Sequence, residues 1–183
     1  DQIIKDFPKK DMFNRPISSK INILEDKLFN CQIIKDKYQQ ITYDIALDEI
    51  LRNKTGQRLQ LHEESQLMQI SNIVYPFESE TIKDKYGKRG LENIFTIKDN
   101  KYTYKKPTNP IFEISRITEY SIKIKELLDK IKRSQGIVFI YSQYIQSGVI
   151  PLMLALEQNG YQQYSNNTIL EYPGKIESIS YEG

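Results

Sequence analysis

The stretch Ser134–Gly160, SQGIVFIYSQYIQSGVIPLMLALEQNG, decides how the chain is read. Gly136-Ile-Val-Phe-Ile-Tyr141 is an apolar run of strand length. Polar Ser142-Gln143 breaks it, and a helical pattern beginning near Gly148 then runs to Gly160. Strand, loop and helix together make half of a βαβ unit. No other clear strand–helix alternation accompanies it in the chain.

Upstream, the residues point mostly to helix. Asp1 to Lys20 is polar, carries Pro8 and Pro16, and reads as loop. Leu28–Ile34 (LFNCQII) is apolar enough for a strand. Asp36 is placed to cap the next helix, because its carboxylate can accept orphan amide hydrogens. Tyr38, Ile41, Ile45, Leu47, Ile50 and Leu51 recur at helical spacing, which predicts an amphipathic helix over Lys37–Arg52 closed by Gly56. Leu61, Leu67, Met68, Ile70 and Ile73 predict a second helix stopped by Pro76. Phe77–Lys85 reads as charged loop and Gly87–Phe95 as a short helix. Thr96–Pro110 alternates tyrosine with charge, as a small hairpin or a basic loop would. Ile114, Ile117, Tyr120, Ile124, Leu127, Leu128 and Ile131 predict one long helix over Ile111–Arg133. The tail from Tyr161 carries turn signals at Asn166-Asn167 and Pro173-Gly174.

Composition narrows the function classes. With 183 residues the chain can bury a core. The 26 basic and 24 acidic residues leave a net charge of +2, so any anionic partner must be met by a local patch. One cysteine, Cys31, allows no internal disulfide and fits a reducing intracellular compartment. Together with the single histidine, His62, it is too little for a zinc site. No apolar run reaches membrane-spanning length, so no membrane partner is expected. The first residues form no signal-peptide pattern. Asp1 in place of an initiator methionine and the ending SISYEG suggest a piece of a longer chain.

The phosphate-loop pattern GxxxxGK[ST] and the DExH or DExD box are both absent, so no triphosphate or magnesium site is expected in this chain. Gly87-Lys-Arg-Gly90 has the wrong spacing for a phosphate loop and reads as a turn into a short helix. His62-Glu63-Glu64 lacks the second histidine of a metal motif. One histidine without supporting pattern cannot build a hydrolytic triad, so no catalytic residue is assigned. Lys101, Lys105 and Lys106 interleave with Tyr102 and Tyr104. That mixture neutralises backbone phosphate and stacks on bases, although a solvated hairpin would look the same. Lys123, Lys125, Lys130, Lys132 and Arg133 read as the wet face of the long helix. Ser142 and Gln143 lie where ligands bind in parallel sheets, beyond the carboxyl end of a strand. A hydroxyl and an amide there could hold a phosphate oxygen, or Ser142 could simply cap a turn.

Three segments resemble the superfamily 2 helicase-like ATPases, in particular those of large DNA viruses (poxviruses, asfarviruses, giant viruses) and the related chromatin-remodeller branch. Asp36-Lys-Tyr-Gln39-Gln-Ile-Thr-Tyr43 is similar to the S-x-x-Q-x-x-x-Y pattern after the last strand of a first RecA-like lobe, with Asp36 replacing serine. Gln66-Leu-Met-Gln-Ile-Ser-Asn72-Ile-Val-Tyr-Pro76 resembles the helix preceding the second lobe. Ile137–Gln143, the helical Leu152–Leu156 and Gly160-Tyr161 resemble helicase motif IV, its helix and the Gly-Tyr pair beyond that helix.

The resemblance implies an α/β, helix-rich fragment with an incomplete parallel sheet of the P-loop NTPase type. Residues 1–35 would close a first RecA-like lobe, 36–110 form a helical linker, and 111–183 open a second lobe. It implies DNA or RNA as partner, the rest of the same helicase chain as another, and viral transcription machinery as a further one, in host cytoplasm or virion. Ser142, Gln143 and Gly148 would inherit contacts to the nucleic-acid backbone, and Gln39 and Tyr43 a packing role. ATP and magnesium are implied for the full-length motor. This chain carries neither the Walker lysine nor the DExH carboxylates nor motifs V and VI, so alone it would not hydrolyse ATP. The alternatives are a non-catalytic helical interaction domain with a chance strand–helix unit, or a degenerate helicase-like domain kept for binding.

Overall fold

A computed structural model describes residues 31–35, 37–53, 58–164 and 167–172, all within one unit starting at Cys31. Asp36, Gly56, Asn166, Pro173-Gly174 and the first three residues of the strand expected at Leu28–Ile34 lie outside the described residues. Cys31–Lys35 itself takes no strand conformation.

Helix α1 (Tyr38–Arg52) starts with Lys37, whose side chain makes no cap bond, at the N-cap position. Its buried stripe is Gln39, Thr42, Ala46 and Ile50, spaced three and four apart as a helix face requires. The apolar spacing alone puts Ile41 and Ile45 inward, yet both are exposed. The helix is turned because the polar Gln39 has partners inside. Helix α2 (Leu61–Asn72) buries Leu67 and Ile70. At its start the Gln60 amide donates to the Glu63 carboxylate at 2.6 Å, half of a capping box that the sequence reading missed. Beyond it Ile73-Val74-Tyr75 runs extended and fully buried up to Pro76. Its amides are satisfied by neighbouring segments: Val74 donates to the Tyr120 carbonyl at 3.0 Å and Tyr75 to that of Lys85 at 2.7 Å.

Helix α3 (Gly87–Ile94) lies close against Tyr75. A Cβ added at Gly90 would stand 2.5 Å from Tyr75 Cδ2 and 2.8 Å from the Lys85 backbone, so only glycine fits. The segment expected to be a hairpin or a loop is a hairpin, β1 (Phe95–Lys98) paired antiparallel with β2 (Lys101–Tyr104). Its two-residue turn, Asp99-Asn100, has both φ angles positive (50° and 61°), which matches the twist of a tight hairpin and suits Asp and Asn. Leu170 adds a short parallel bridge to β2 at Tyr102. That tail is held by Glu157, whose buried carboxylate accepts from the Ile169 and Leu170 amides at 3.0 and 2.6 Å.

Two sequence expectations are corrected. The long helix expected at Ile111–Arg133 is shorter, α4 (Ile122–Arg133), with Ser121 Oγ capping it by accepting from the Ile124 amide at 3.0 Å. Ile111, Phe112 and Ile117 are buried as expected of a core face, but in irregular chain and a single 3₁₀ turn. There the Asn159 side chain accepts from the Ile114 amide and donates to the Phe112 carbonyl, at 3.1 and 2.8 Å, so the backbone needs no helix. The second correction is the expected strand Gly136–Tyr141, which pairs with nothing among the described residues and is exposed throughout. A strand exists only through hydrogen bonds to a neighbour, and the segment has none among the described residues. Helix α5 (Ile150–Gln158) comes next as expected, entered through a π-helical turn over Ile145–Val149. The described residues are thus helix-rich with one small two-stranded sheet. One core runs from Ala46 to Leu170, with Tyr75, Phe95 and Phe112 among its largest fully buried side chains.

Candidate nucleic-acid interface

Ser142 and Gln143, in the loop before the π-helical turn, and Gly148 within that turn line one cavity of about 330 Å³. Ser142 makes a serine turn: its Oγ lies 3.2 Å from both the amide and the carbonyl of Tyr144. Gly148 sits directly over that hydroxyl. A Cβ on it would be 2.1 Å from Ser142 Oγ, so the close approach of turn and loop depends on glycine. π-helical turns inside helices often mark functional sites.

The turn is fixed from beneath by three bonds. Tyr75 Oη donates to the Gln146 carbonyl at 2.8 Å. Ser147 Oγ donates to Gln69 Oε1 at 3.1 Å and accepts from the Gly87 amide at 3.2 Å. Complete burial pushes the Tyr75 phenol well above its usual pKa, so it stays a neutral donor. Gln143, by contrast, is exposed and has no partner among the described residues. The same cavity takes in Asn72 from the end of α2 and Lys123 from the first turn of α4, and the Lys123 ammonium donates to Asn72 Oδ1 at 2.6 Å. Sequence reading placed Lys123 on a solvated helix face. Only the α2–α4 packing turns it to the Ser142 loop. Hydroxyl, free amide and ammonium thus converge on one recess, a set that can bind an anionic oxygen.

The hairpin residues go elsewhere. The Lys101 ammonium donates to the Thr168 carbonyl, and Tyr102 packs edge-on to Phe95 with ring centres 5.9 Å apart. Lys105 donates to the Glu92 carbonyl at 2.6 Å, and with Lys106 it borders a second, larger cavity between α1, α3 and β2. Tyr104 also lines that cavity, its ring centre 4.4 Å from that of Phe95 and its phenol pushed far up by burial. The lysine–tyrosine run therefore does not join Ser142 in one recess. Among the basic residues of α4, Lys125 pairs with Asp129 while Lys132 and Arg133 are exposed.

Gln39 holds the frame. Its buried amide donates to the carbonyls of Ile70 and Ser71 at 3.0 and 3.1 Å and accepts from the Ile122 amide at 3.2 Å. It thereby ties α1, the end of α2 and the start of α4, the elements that carry Asn72 and Lys123. Tyr43 packs on the core, partly buried. His62 is exposed at the start of α2, and among the described residues no group of three or more His, Cys, Asp or Glu side chains is placed to hold a metal ion. No helix among them is long and apolar enough to cross a membrane.

The chain is similar to a protein of Acanthamoeba polyphaga mimivirus whose name reads "putative ATP-dependent RNA helicase", 29% identical over 162 residues. The match covers 88% of this chain but 23% of the relative, so the chain spans about a quarter of that protein. No family model and no solved structure matches it.

Proposed function

We propose that the chain is the middle segment of an ATP-dependent superfamily 2 helicase of the large-DNA-virus type, and that its Ser142 cavity grips the backbone of a nucleic-acid strand. The observation that carries this reading is the convergence of Ser142, Gln143 and Gly148 with Lys123 and Asn72 on one recess. Similarity to a giant-virus helicase along most of the chain supports it. In this reading residues 1–35 close a first RecA-like lobe, 36–110 link the lobes and 111–183 open the second. Gln143 and the Ser142 loop donate to a phosphate oxygen, and Lys123 supplies the charge that makes binding salt-dependent. The residues present do not fit ATP and magnesium, since no phosphate loop or carboxylate pair accompanies them. Nucleotide hydrolysis is therefore assigned to the rest of the motor.

The test is binding of fluorescent single-stranded RNA and DNA by the purified chain at several salt concentrations. Gln143→Ala should weaken binding, and Lys123→Ala should weaken it and reduce the salt slope by about one. Unaltered binding by both variants would remove the grip. A non-catalytic interaction domain is the second reading, favoured by the exposed apolar residues Ile137, Phe139 and Tyr141. It predicts no strand binding at all.

A further inference from the structure

The recess around Ser142 is lined by a single charged side chain among the described residues, Lys123, and by no carboxylate. Apolar Met68, Ile124, Leu127 and Leu152 make up much of the remaining lining, and beside such groups a charge is poorly screened. The way Lys123 is held therefore matters. Its ammonium donates to Asn72 Oδ1 at 2.6 Å, both residues are partly buried, and Lys123 enters no ion pair among the described residues. Two residues along the same helix, Lys125 is held instead by the Asp129 carboxylate. Both lysines are fixed, but only Lys123 keeps its charge uncompensated. An ammonium has three N–H donors. Asn72 takes one, and the other two have no partner among the described residues. Asn72 is itself anchored, because its carbonyl accepts from Ser121 Oγ at 2.5 Å, and Ser121 caps the helix whose second residue is Lys123.

We infer that Asn72 is a positioning residue of this recess: its amide oxygen holds the Lys123 ammonium in place for a phosphate without cancelling the charge. A lysine free in solvent loses its rotamers when it meets an anion. One held by a carboxylate has to give up an ion pair first. A neutral amide avoids both, since it orders the side chain and leaves the charge to the ligand. The inference rests on the strand grip proposed above and adds to it the residue that makes Lys123 effective.

The test is a mutant cycle, read by titrating the purified chain with a fluorescent single-stranded RNA octamer at several salt concentrations. Asn72→Ala should weaken binding about fivefold, the worth of one hydrogen bond, with the salt slope unchanged because the lysine charge remains. In the Lys123→Ala background the same substitution should change affinity by less than about twofold, since Asn72 then has nothing to hold. Asn72→Asp keeps the shape but turns the bond into an ion pair. It should weaken binding about tenfold and lower the salt slope by about one, while the chain still unfolds cooperatively in thermal melts. Strand binding that Lys123→Ala weakens but both Asn72 variants leave intact would overturn the inference and keep the grip. An Asn72→Ala effect as large without Lys123 as with it would do the same, because Asn72 would then act independently of the lysine. A parent chain that binds no strand would overturn both.

Discussion

Two regions with opposite composition show what holds this molecule together. The junction of α1, α2 and α4 contains a polar side chain, Gln39, that is buried to 1% exposure. The segment Gly136–Tyr141 is apolar, yet Ile137, Phe139 and Tyr141 are 103%, 90% and 82% exposed. Hydropathy alone would exchange them. Gln39 is inside because three backbone groups at the ends of other elements complete its hydrogen bonds, and a buried polar group that is fully satisfied costs little. Val138 and Ile140 are less exposed, at 44% and 37%, so the segment alternates with the two-residue period of a strand. The two-residue period of a strand is present, and no neighbour among the described residues pairs with it.

The comparison can be broken at either side. Gln39→Ala would orphan the Ile122 amide and the carbonyls of Ile70 and Ser71, and should cost about 3 kcal/mol in urea unfolding. A loss below about 1 kcal/mol would mean that water replaces the side chain and that the junction is not dry. Gly148→Ala forces a methyl group against Ser142 and should cost about 2 kcal/mol. The same variant should also lose strand binding, measured by the same titration, because the loop and the π-helical turn can no longer close on each other.

A third outcome comes from the buried phenols. Tyr75 and Tyr104 both have their pKa raised above the usual 10.0 by burial. Between pH of about 10 and the higher folded values, the unfolded chain loses protons that the folded chain keeps. Stability is therefore intact below pH 10 and declines above it, by at most about 1.4 kcal/mol per pH unit for each phenol. Tyr104→Phe should make that decline shallower in pH-dependent thermal melts. The smallest effect is expected at Phe139→Ser, within about 0.5 kcal/mol of the parent, since the side chain loses no packing. Hydrogen exchange sharpens the contrast: amides of Ile137–Tyr141 should exchange freely, whereas those of Val74 and Tyr75 should be protected.

Much of the fold was legible in the residues. The 3.6-residue period located α1 and α2, and Gly160 ended the helix after Gln143 because a helix carries its own hydrogen bonds. Tyrosine alternating with charge over Thr96–Pro110 left hairpin and loop open, and Phe95 packing against Tyr104 and Phe112 decides for the hairpin. The failures share one cause. Ile111–Ile117 has apolar residues at helical spacing, but Asn159, more than 40 residues away, supplies the backbone partners instead. The inward face of α1 likewise depends on carbonyls at the end of α2.

The site divides along the same line. Ser142, Gln143 and Gly148 could be singled out in the sequence because a polar break between an apolar run and a helix is a local feature. Lys123 and Asn72 could not, because a helix surface gives no sign of which neighbour it will meet. Sequence by itself determined where α1, α2 and α5 lie and which loop carries the polar pair, since both depend on backbone geometry within a few residues. Only the tertiary structure decided which polar groups are buried, which apolar run stays uncovered and which lysine faces the loop. Each of those depends on a hydrogen-bond or packing partner distant in the chain, and local preference does not encode it.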